Sequence, residues 1–129
     1  MKKVIVLFTL AIGIFSISCN ETSNNSTTGI IKSVNVAEFE KLISENNGIL
    51  LDVRTPSENK AGNIKGSILI DVTNSSFAKK IESIDKTKPI LVYCKSGNRS
   101  MKAAKLMETK GFTDIYNLKG GYRAWSSTH

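Results

Sequence analysis

Cys94 opens a short polar loop whose composition could support nucleophilic chemistry. The apolar run Pro89-Ile90-Leu91-Val92-Tyr93 precedes it, and a segment with helical spacing follows the loop. Because open parallel sheets carry their sites at the carboxyl ends of strands, this position favours a reactive cysteine over a core residue. We therefore predict that Cys94 is the catalytic nucleophile.

The residues after Cys94 should favour the thiolate over the thiol. Backbone N–H groups of this loop can turn inward and form a nest for an anion, and glycine permits the backbone angles that such a ring needs. The N-terminus of the following helix adds positive potential. Thiolates in such surroundings have pKa values of roughly 3.5–7.5, against about 8.5 for a free cysteine. The predicted substrate-binding residues are Lys95, Ser96, Gly97, Asn98, Arg99 and Ser100.

The elements that would position this loop alternate between strand-like and helical patterns. Apolar runs typical of strands cover residues 30–34, 49–53, 67–72, 89–93 and 115–118. Helical spacing covers residues 36–43 after Asn35 as N-cap, 77–84, 101–110 with Ala104, Leu106 and Met107 towards the core, and 122–125. This alternation predicts an α/β fold with a mostly parallel sheet of about five strands and helices on both faces.

Length and composition narrow the classes of protein. The 129 residues allow one domain, and a hydrophobic share of 40% excludes wholesale disorder. Two cysteines exclude a disulfide scaffold and a cysteine-rich zinc site, and the single histidine removes most histidine-based metal sites and Ser-His-Asp triads. We expect neither metal nor cofactor. The net charge of +7 suggests an anionic partner. No basic helix carries interleaved aromatics, so nucleic acid is not expected.

The first thirty residues are predicted to lie outside the fold. A basic start and an apolar stretch of 14 residues, 4–17, are typical of a secretory signal. The segment ending in Cys19 resembles a bacterial lipoprotein cleavage box, with Ser16 where an aliphatic residue is usual. We predict a signal peptide over residues 1–18, lipidation at Cys19 and a flexible tether over 19–30. The protein would then be exported and lipid-anchored in a bacterial cell envelope, facing the periplasm or the cell surface. A cleaved soluble form and an uncleaved anchor stay open.

Four separated motifs resemble those of a single rhodanese domain, a sulfurtransferase, over residues 31–127. The chain has L-D-V-R-T-P-S-E at 51–58, G-N-I-K-G-S at 62–67, C-x-x-x-x-R at 94–99, and G-F at 111–112 followed by L-K-G-G-Y-R-A-W at 118–125. It departs from the family pattern at Asn59, Asn63 and Ser67, which we interpret as altered packing. The resemblance implies a three-layer fold with helices on both faces of the sheet.

The resemblance also implies roles for individual residues. Cys94 would carry a persulfide, the backbone of the loop from Lys95 to Ser100 would hold its outer sulfur, and Lys95 and Arg99 would attract the donor. Asp52, Arg54 and Glu58 would form a structural motif, with Arg54 and Glu58 as an internal ion pair. The implied reaction moves sulfur from a small anionic donor, thiosulfate or a polysulfide, to a thiol, cyanide or sulfite. We expect ping-pong kinetics and a monomer.

Two other functions stay open. A non-catalytic module that carries or senses sulfur would use the same reactive Cys94. A cysteine-dependent phosphatase would need five residues between its cysteine and arginine, whereas this chain has four, Lys95 to Asn98. The shorter loop forms a smaller ring of N–H groups, which suits one sulfur atom better than a tetrahedral phosphate.

Overall fold

The computed structural model describes residues 29–45 and 47–129. The strands are β1 (Ile30–Val34), β2 (Ile49–Asp52), β3 (Ile68–Leu69), β4 (Ile90–Tyr93) and β5 (Asp114–Leu118). The helices are α1 (Val36–Ser44), α2 (Pro56–Ala61), α3 (Phe77–Ile81), α4 (Asn98–Thr109) and α5 (Gly121–Ser126). The predicted alternation of strands and helices is therefore confirmed.

The strands form one parallel sheet in the order β1-β5-β4-β2-β3. Strands β2 and β4 are neighbours, with Asp52 opposite Tyr93 at their carboxyl ends. The chain leaves β2 towards β3 on one side and leaves β4 towards β5 on the other. The direction of winding therefore reverses between β2 and β4, and open α/β sheets bind ligands at such a switch point.

Alternating side chains on the central strands divide the core into two clusters. On one face, Leu51, Val53, Ile90 and Val92 pack with the buried residues of α3 and α4. On the other face, Leu50, Leu91 and Tyr93 pack with Phe39 of α1 and with partly buried Tyr122 and Trp125 of α5. Helices thus cover both faces of the sheet, and the predicted three-layer fold is confirmed.

Three details differ from the sequence prediction. Strand β3 has two residues instead of the expected six, because the segment pairs only with the end of β2. Leu106 is 37% exposed, so its predicted place in the core is wrong; Ala103, Ala104 and Met107 face the sheet from α4 instead. The third difference is α2, a helix that the hydrophobic pattern did not predict because none of its residues is buried.

Over residues 29–45 and 47–129, none of the helices combines the length and the apolar character needed to cross a membrane. The predicted signal peptide, the lipidation site Cys19 and most of the predicted tether lie outside the described residues.

Candidate active site

Cys94 directly follows β4 at the switch point, and only 1% of its surface is exposed. Its Sγ accepts a hydrogen bond from the backbone N–H of Gly97 at 3.1 Å and lies 3.3 Å from the hydroxyl of Ser100. Gly97 is the N-cap of α4 at φ +103°, a left-handed conformation that glycine adopts without strain. No side chain caps this helix, and the N–H of Ser100 in its first turn is among the donors to the sulfur.

The surroundings of Cys94 favour its thiolate. Burial by itself would raise the pKa of Cys94. Hydrogen bonds from the Ser100 hydroxyl and from the backbone N–H groups of Ser100, Ser96 and Gly97 outweigh burial and hold the pKa below its usual value. This agrees in direction with the prediction made from the loop composition. The site can therefore hold a reactive sulfur anion.

The paired glycines after β5 support the backbone on which Cys94 sits. The N–H of Tyr122 donates to the Cys94 carbonyl at 2.7 Å, and the N–H of Arg123 donates to the Lys95 carbonyl at 3.0 Å. A Cβ on Gly121 would lie 2.5 Å from the Cys94 carbonyl oxygen, so only glycine fits this close approach. The Gly-Gly motif thus fixes the start of the loop from the side of α5.

Arg99, in the first turn of α4, is joined to α2 across the switch point. Its Nη2 and Nη1 atoms donate to the two carboxylate oxygens of Glu58 at 2.7 and 2.8 Å. Glu58 also accepts from the Thr55 backbone N–H at 3.0 Å, which completes a capping box at the start of α2. The loop that carries Cys94 is therefore held to the loop that follows β2.

The predicted ion pair between Arg54 and Glu58 is wrong. Arg54 pairs with Asp52 at 2.6 Å, because residues two apart in extended chain project to the same side. Glu58 lies in the first turn of α2, where it folds back to cap the helix and faces Arg99. Arg54 thus pairs with Asp52 instead of Glu58, and Glu58 pairs with Arg99.

Asp52 is the centre of a buried polar network beneath the site. Its carboxylate accepts from Arg54, from Nδ2 of Asn59 at 2.9 Å and from the Tyr93 hydroxyl at 2.9 Å. The Tyr93 hydroxyl oxygen also lies 3.1 Å from Oγ of Ser67. Two of the departures from the family pattern, Asn59 and Ser67, therefore belong to this network, while Asn63 donates to the Asn59 carbonyl at 3.1 Å.

The predicted substrate-binding residues differ in their exposure to solvent. Ser100 is buried, Gly97 and Arg99 are partly buried, and the side chains of Lys95, Ser96 and Asn98 are exposed. Arg99 has its charge matched by Glu58, whereas Lys95 has no ion-pair partner within the described residues. Of the two cations assigned to the donor, Lys95 is thus the one available to an incoming anion.

Sequence reasoning missed Asn117, a buried polar residue on β5. Its Oδ1 accepts from the Ser100 hydroxyl at 2.5 Å, and its Nδ2 donates to the Gly97 carbonyl at 3.3 Å. The signal that could have found it is its position, since Asn117 shares a strand face with the buried Ile115. A polar residue on the buried face of a strand needs a partner, and here the partner is the active-site loop.

No cluster of three or more metal-ligating side chains occurs among residues 29–45 and 47–129. The chemistry of the site rests on Cys94, on the donors around it and on the charges of the loop.

Replacing Glu58 with glutamine should lower the free energy of unfolding at neutral pH and should have a smaller effect at low pH. The Arg99 hydrogen bonds, which outweigh the effect of burial, lower the pKa of Glu58 from 4.5 to about 2. A lowered pKa adds stability that is present above pH 4.5 and is lost as the pH falls towards 2. Urea unfolding from pH 7 to pH 2 should therefore show a difference between wild type and Glu58→Gln that shrinks on acidification.

The matched control for this titration is Glu82→Gln, which removes an exposed ion pair with Lys110 at 3.4 Å. It should change the stability little at any pH. A Glu58→Gln variant that behaved like the Glu82 control would contradict the structural importance of the link to Arg99.

The fold and the site together define a class: a single parallel α/β domain with a buried cysteine in an N–H-lined loop at the switch point. The family model described as Rhodanese-like domain matches residues 35–128. The chain belongs to the rhodanese-like family.

Individual relatives agree with this assignment. The thiosulfate sulfurtransferase GlpE of Pseudomonas syringae pv. syringae is 35% identical over 92 residues, covering 71% of this chain and 85% of that protein. The tRNA uridine(34) hydroxylase of Pelagibacter ubique is 41% identical over 85 residues, but this chain spans 28% of its length. The crystal structure of a rhodanese-related protein from Thermoplasma volcanium superposes with a TM-score of 0.67 at 29% identity, covering 75% of this chain and 92% of that one. The relatives support sulfurtransferase activity at the level of the family.

Proposed function

We propose that this protein is a sulfurtransferase that moves a sulfane sulfur from thiosulfate or a polysulfide to a thiophilic acceptor through a persulfide on Cys94. The observation that carries the proposal is the placement of Cys94 Sγ, 3.1 Å from the Gly97 N–H at the uncapped start of α4. Donors that stabilise a thiolate at this position also stabilise a terminal persulfide sulfur.

The proposed reaction has two half-steps without net oxidation. The Cys94 thiolate attacks the sulfane sulfur of thiosulfate, a new S–S bond forms, and sulfite leaves with the electron pair of the old S–S bond. An acceptor such as cyanide, a thiol or sulfite then attacks the outer sulfur, and the thiolate of Cys94 leaves. Lys95, the exposed residue that follows Cys94, would draw the anionic donor, while the loop N–H groups would hold the outer sulfur. The separation of the two half-steps gives ping-pong kinetics.

The spacing of the loop favours sulfur over phosphate. Four residues separate Cys94 from Arg99, and Arg99 is engaged by both oxygens of Glu58. An arginine held in this way offers fewer free donors to a phosphate ester. We therefore place phosphatase activity well behind sulfur transfer.

The test is to incubate the protein with thiosulfate and follow the peptide that contains Cys94 by mass spectrometry. We expect this peptide to gain the mass of one sulfur atom and to lose it again on addition of cyanide, with release of thiocyanate. Repeated turnover would identify an enzyme, while loading without turnover would favour the carrier or sensor function. Failure to load sulfur, or hydrolysis of phosphate esters faster than sulfur transfer, would contradict the proposal.

We propose further that the domain acts as a monomer, exported and held to a membrane of a bacterial cell envelope by a lipid on Cys19, facing the periplasm or the cell surface. The support is the basic start, the short apolar stretch and the small residues before Cys19. Replacing Cys19 with serine should move the protein from the membrane fraction to the soluble fraction. Intact mass of the detergent-extracted protein should show the lipid on wild type, and unmodified mass with retained membrane attachment would contradict lipidation.

A further inference from the structure

The hydroxyl of Ser100 lies between two groups that can each accept a hydrogen bond from it. It is 2.5 Å from Oδ1 of Asn117 and 3.3 Å from Sγ of Cys94. Both neighbours are buried, with Cys94 1% and Asn117 3% exposed, and Ser100 itself is 0% exposed. Water therefore has little access to this site, and the three side chains must satisfy one another.

A serine hydroxyl carries one hydrogen and can donate to one acceptor at full strength. When Ser100 donates to Asn117, its oxygen faces the sulfur with lone pairs, which suits a protonated thiol. When Cys94 is a thiolate, the sulfur is stabilised by backbone N–H groups and further by the Ser100 hydroxyl if that hydroxyl turns towards it. Asn117 Oδ1 then loses its partner. The two hydrogen bonds of Ser100 are thus alternatives.

The orientation of the Asn117 amide makes this competition strong. Nδ2 of Asn117 donates to the Gly97 carbonyl at 3.3 Å, so Oδ1 is the amide atom that faces Ser100. An amide oxygen only accepts hydrogen bonds, and it can therefore use this position only by taking the Ser100 proton. The short 2.5 Å contact fits such a donation.

We propose that Asn117 is a positioning residue that controls the ionisation of Cys94 by competing with its sulfur for the single hydroxyl proton of Ser100. This inference deepens the proposed sulfur transfer, because the ionised fraction of Cys94 sets how much thiolate can attack the donor. It assigns a role in the site to a residue of β5, the strand that pairs with β1 and β4.

The charged groups around Cys94 do not depend on Asn117. Lys95 follows it in the loop, and Arg99 on α4 interacts with it while paired to Glu58 of α2. Asp71, after β3, interacts with Arg99, and β2 ends in the Asp52–Arg54 pair. Helix α5 contributes the backbone N–H of Tyr122 to the Cys94 carbonyl. A neutral substitution at position 117 therefore leaves these charges in place.

The test measures the rate of alkylation of Cys94 against pH in the full chain, resolved by mass spectrometry of the Cys94 peptide. Asn117→Leu removes the competing acceptor at similar volume, and we expect the alkylation midpoint to fall by about one pH unit. Asn117→Asp places a stronger acceptor and a negative charge there, and we expect the midpoint to rise by a similar amount. Tyr116→Phe, on the opposite face of the same strand, is the control and should leave the midpoint unchanged.

A double-mutant cycle identifies the route through Ser100. In a Ser100→Ala background no hydroxyl proton is shared, so Asn117→Leu should no longer shift the midpoint. A shift that persists in this background, or a Leu variant that raises the midpoint while folded, overturns the proposal. If Asn117→Leu does not fold, the neutral Asn117→Ala replaces it in the same measurement, with the same expected fall of the midpoint. The readout is thiol alkylation, so a wild type that fails to load sulfur would contradict the proposed function without altering this result.

Discussion

Replacing Cys94 with serine is expected to lower kcat/KM for sulfur transfer from thiosulfate to cyanide by at least about a thousandfold. Serine keeps the size of the side chain and the hydrogen bond from the Gly97 N–H, but its hydroxyl is not ionised at neutral pH and cannot form the persulfide. Because Cys94 is a small residue in a polar loop, the variant should keep the fold of the wild type.

The chain contains its own matched control, since Cys19 is the other of its two cysteines. Cys19→Ser should retain the sulfur-transfer activity of the wild type in detergent solution, and its Cys94 peptide should still gain a sulfur atom. Thermal unfolding of both variants separates loss of chemistry from loss of structure. Residual transfer above about 0.1% of wild type in a folded Cys94→Ser variant would contradict a mechanism through Cys94.

The parts of the fold that bury apolar surface could be predicted from the sequence. The runs around residues 49–53 and 89–93 are apolar on both sides of the chain, which is typical of parallel strands covered on both faces. Helix α2 could not be predicted in this way, because it has no buried residue and therefore no apolar stripe. The T-P-S-E sequence at 55–58 carried the signal instead, since it is a capping box with proline in the first turn.

The candidate site, like the fold, could be predicted from the sequence only in part. The nucleophile and its loop follow from residue types at the end of a strand, which are local in sequence. The ion-pair partners do not, because Glu58 meets Arg99 across 41 residues and only the order of the sheet brings them together. The same holds for Asn117 and Ser100, which are 17 residues apart on different elements. Local spacing therefore located the candidate site, while the contacts around it could be predicted only with the topology of the sheet.

Replacing Asp52 with alanine should be the most destabilising single change in the structural motif. The side chains of Asp52 and Arg54 are 0% and 3% exposed, and the carboxylate accepts hydrogen bonds from Arg54, Asn59 and Tyr93. Removing one partner of a buried pair leaves the other charge uncompensated, at a cost of about 3–5 kcal/mol. A domain has a free energy of unfolding of about 5–15 kcal/mol, so urea unfolding should show loss of a large share of it.

Acid titration should distinguish this pair from a merely well-packed position. Burial would raise the pKa of Asp52, but the hydrogen bonds from Arg54 and Asn59 outweigh it and lower the pKa below 3.8. The stability that Asp52 contributes is therefore present above pH 3.8 and is lost as the pH falls through the lowered pKa. The difference in the free energy of unfolding between wild type and Asp52→Ala should accordingly become smaller at low pH.

Two comparisons test whether the cost comes from the orphaned guanidinium of Arg54. Asp85→Ala, which removes an exposed aspartate bonded only to nearby Thr87, should cost less than about 1 kcal/mol. The double variant Asp52→Ala, Arg54→Met removes both charges and should be more stable than Asp52→Ala alone, because no buried charge is left unpaired. A double variant less stable than the single one would show that Arg54 stabilises the domain through its contacts with Gly62 and Tyr122 instead.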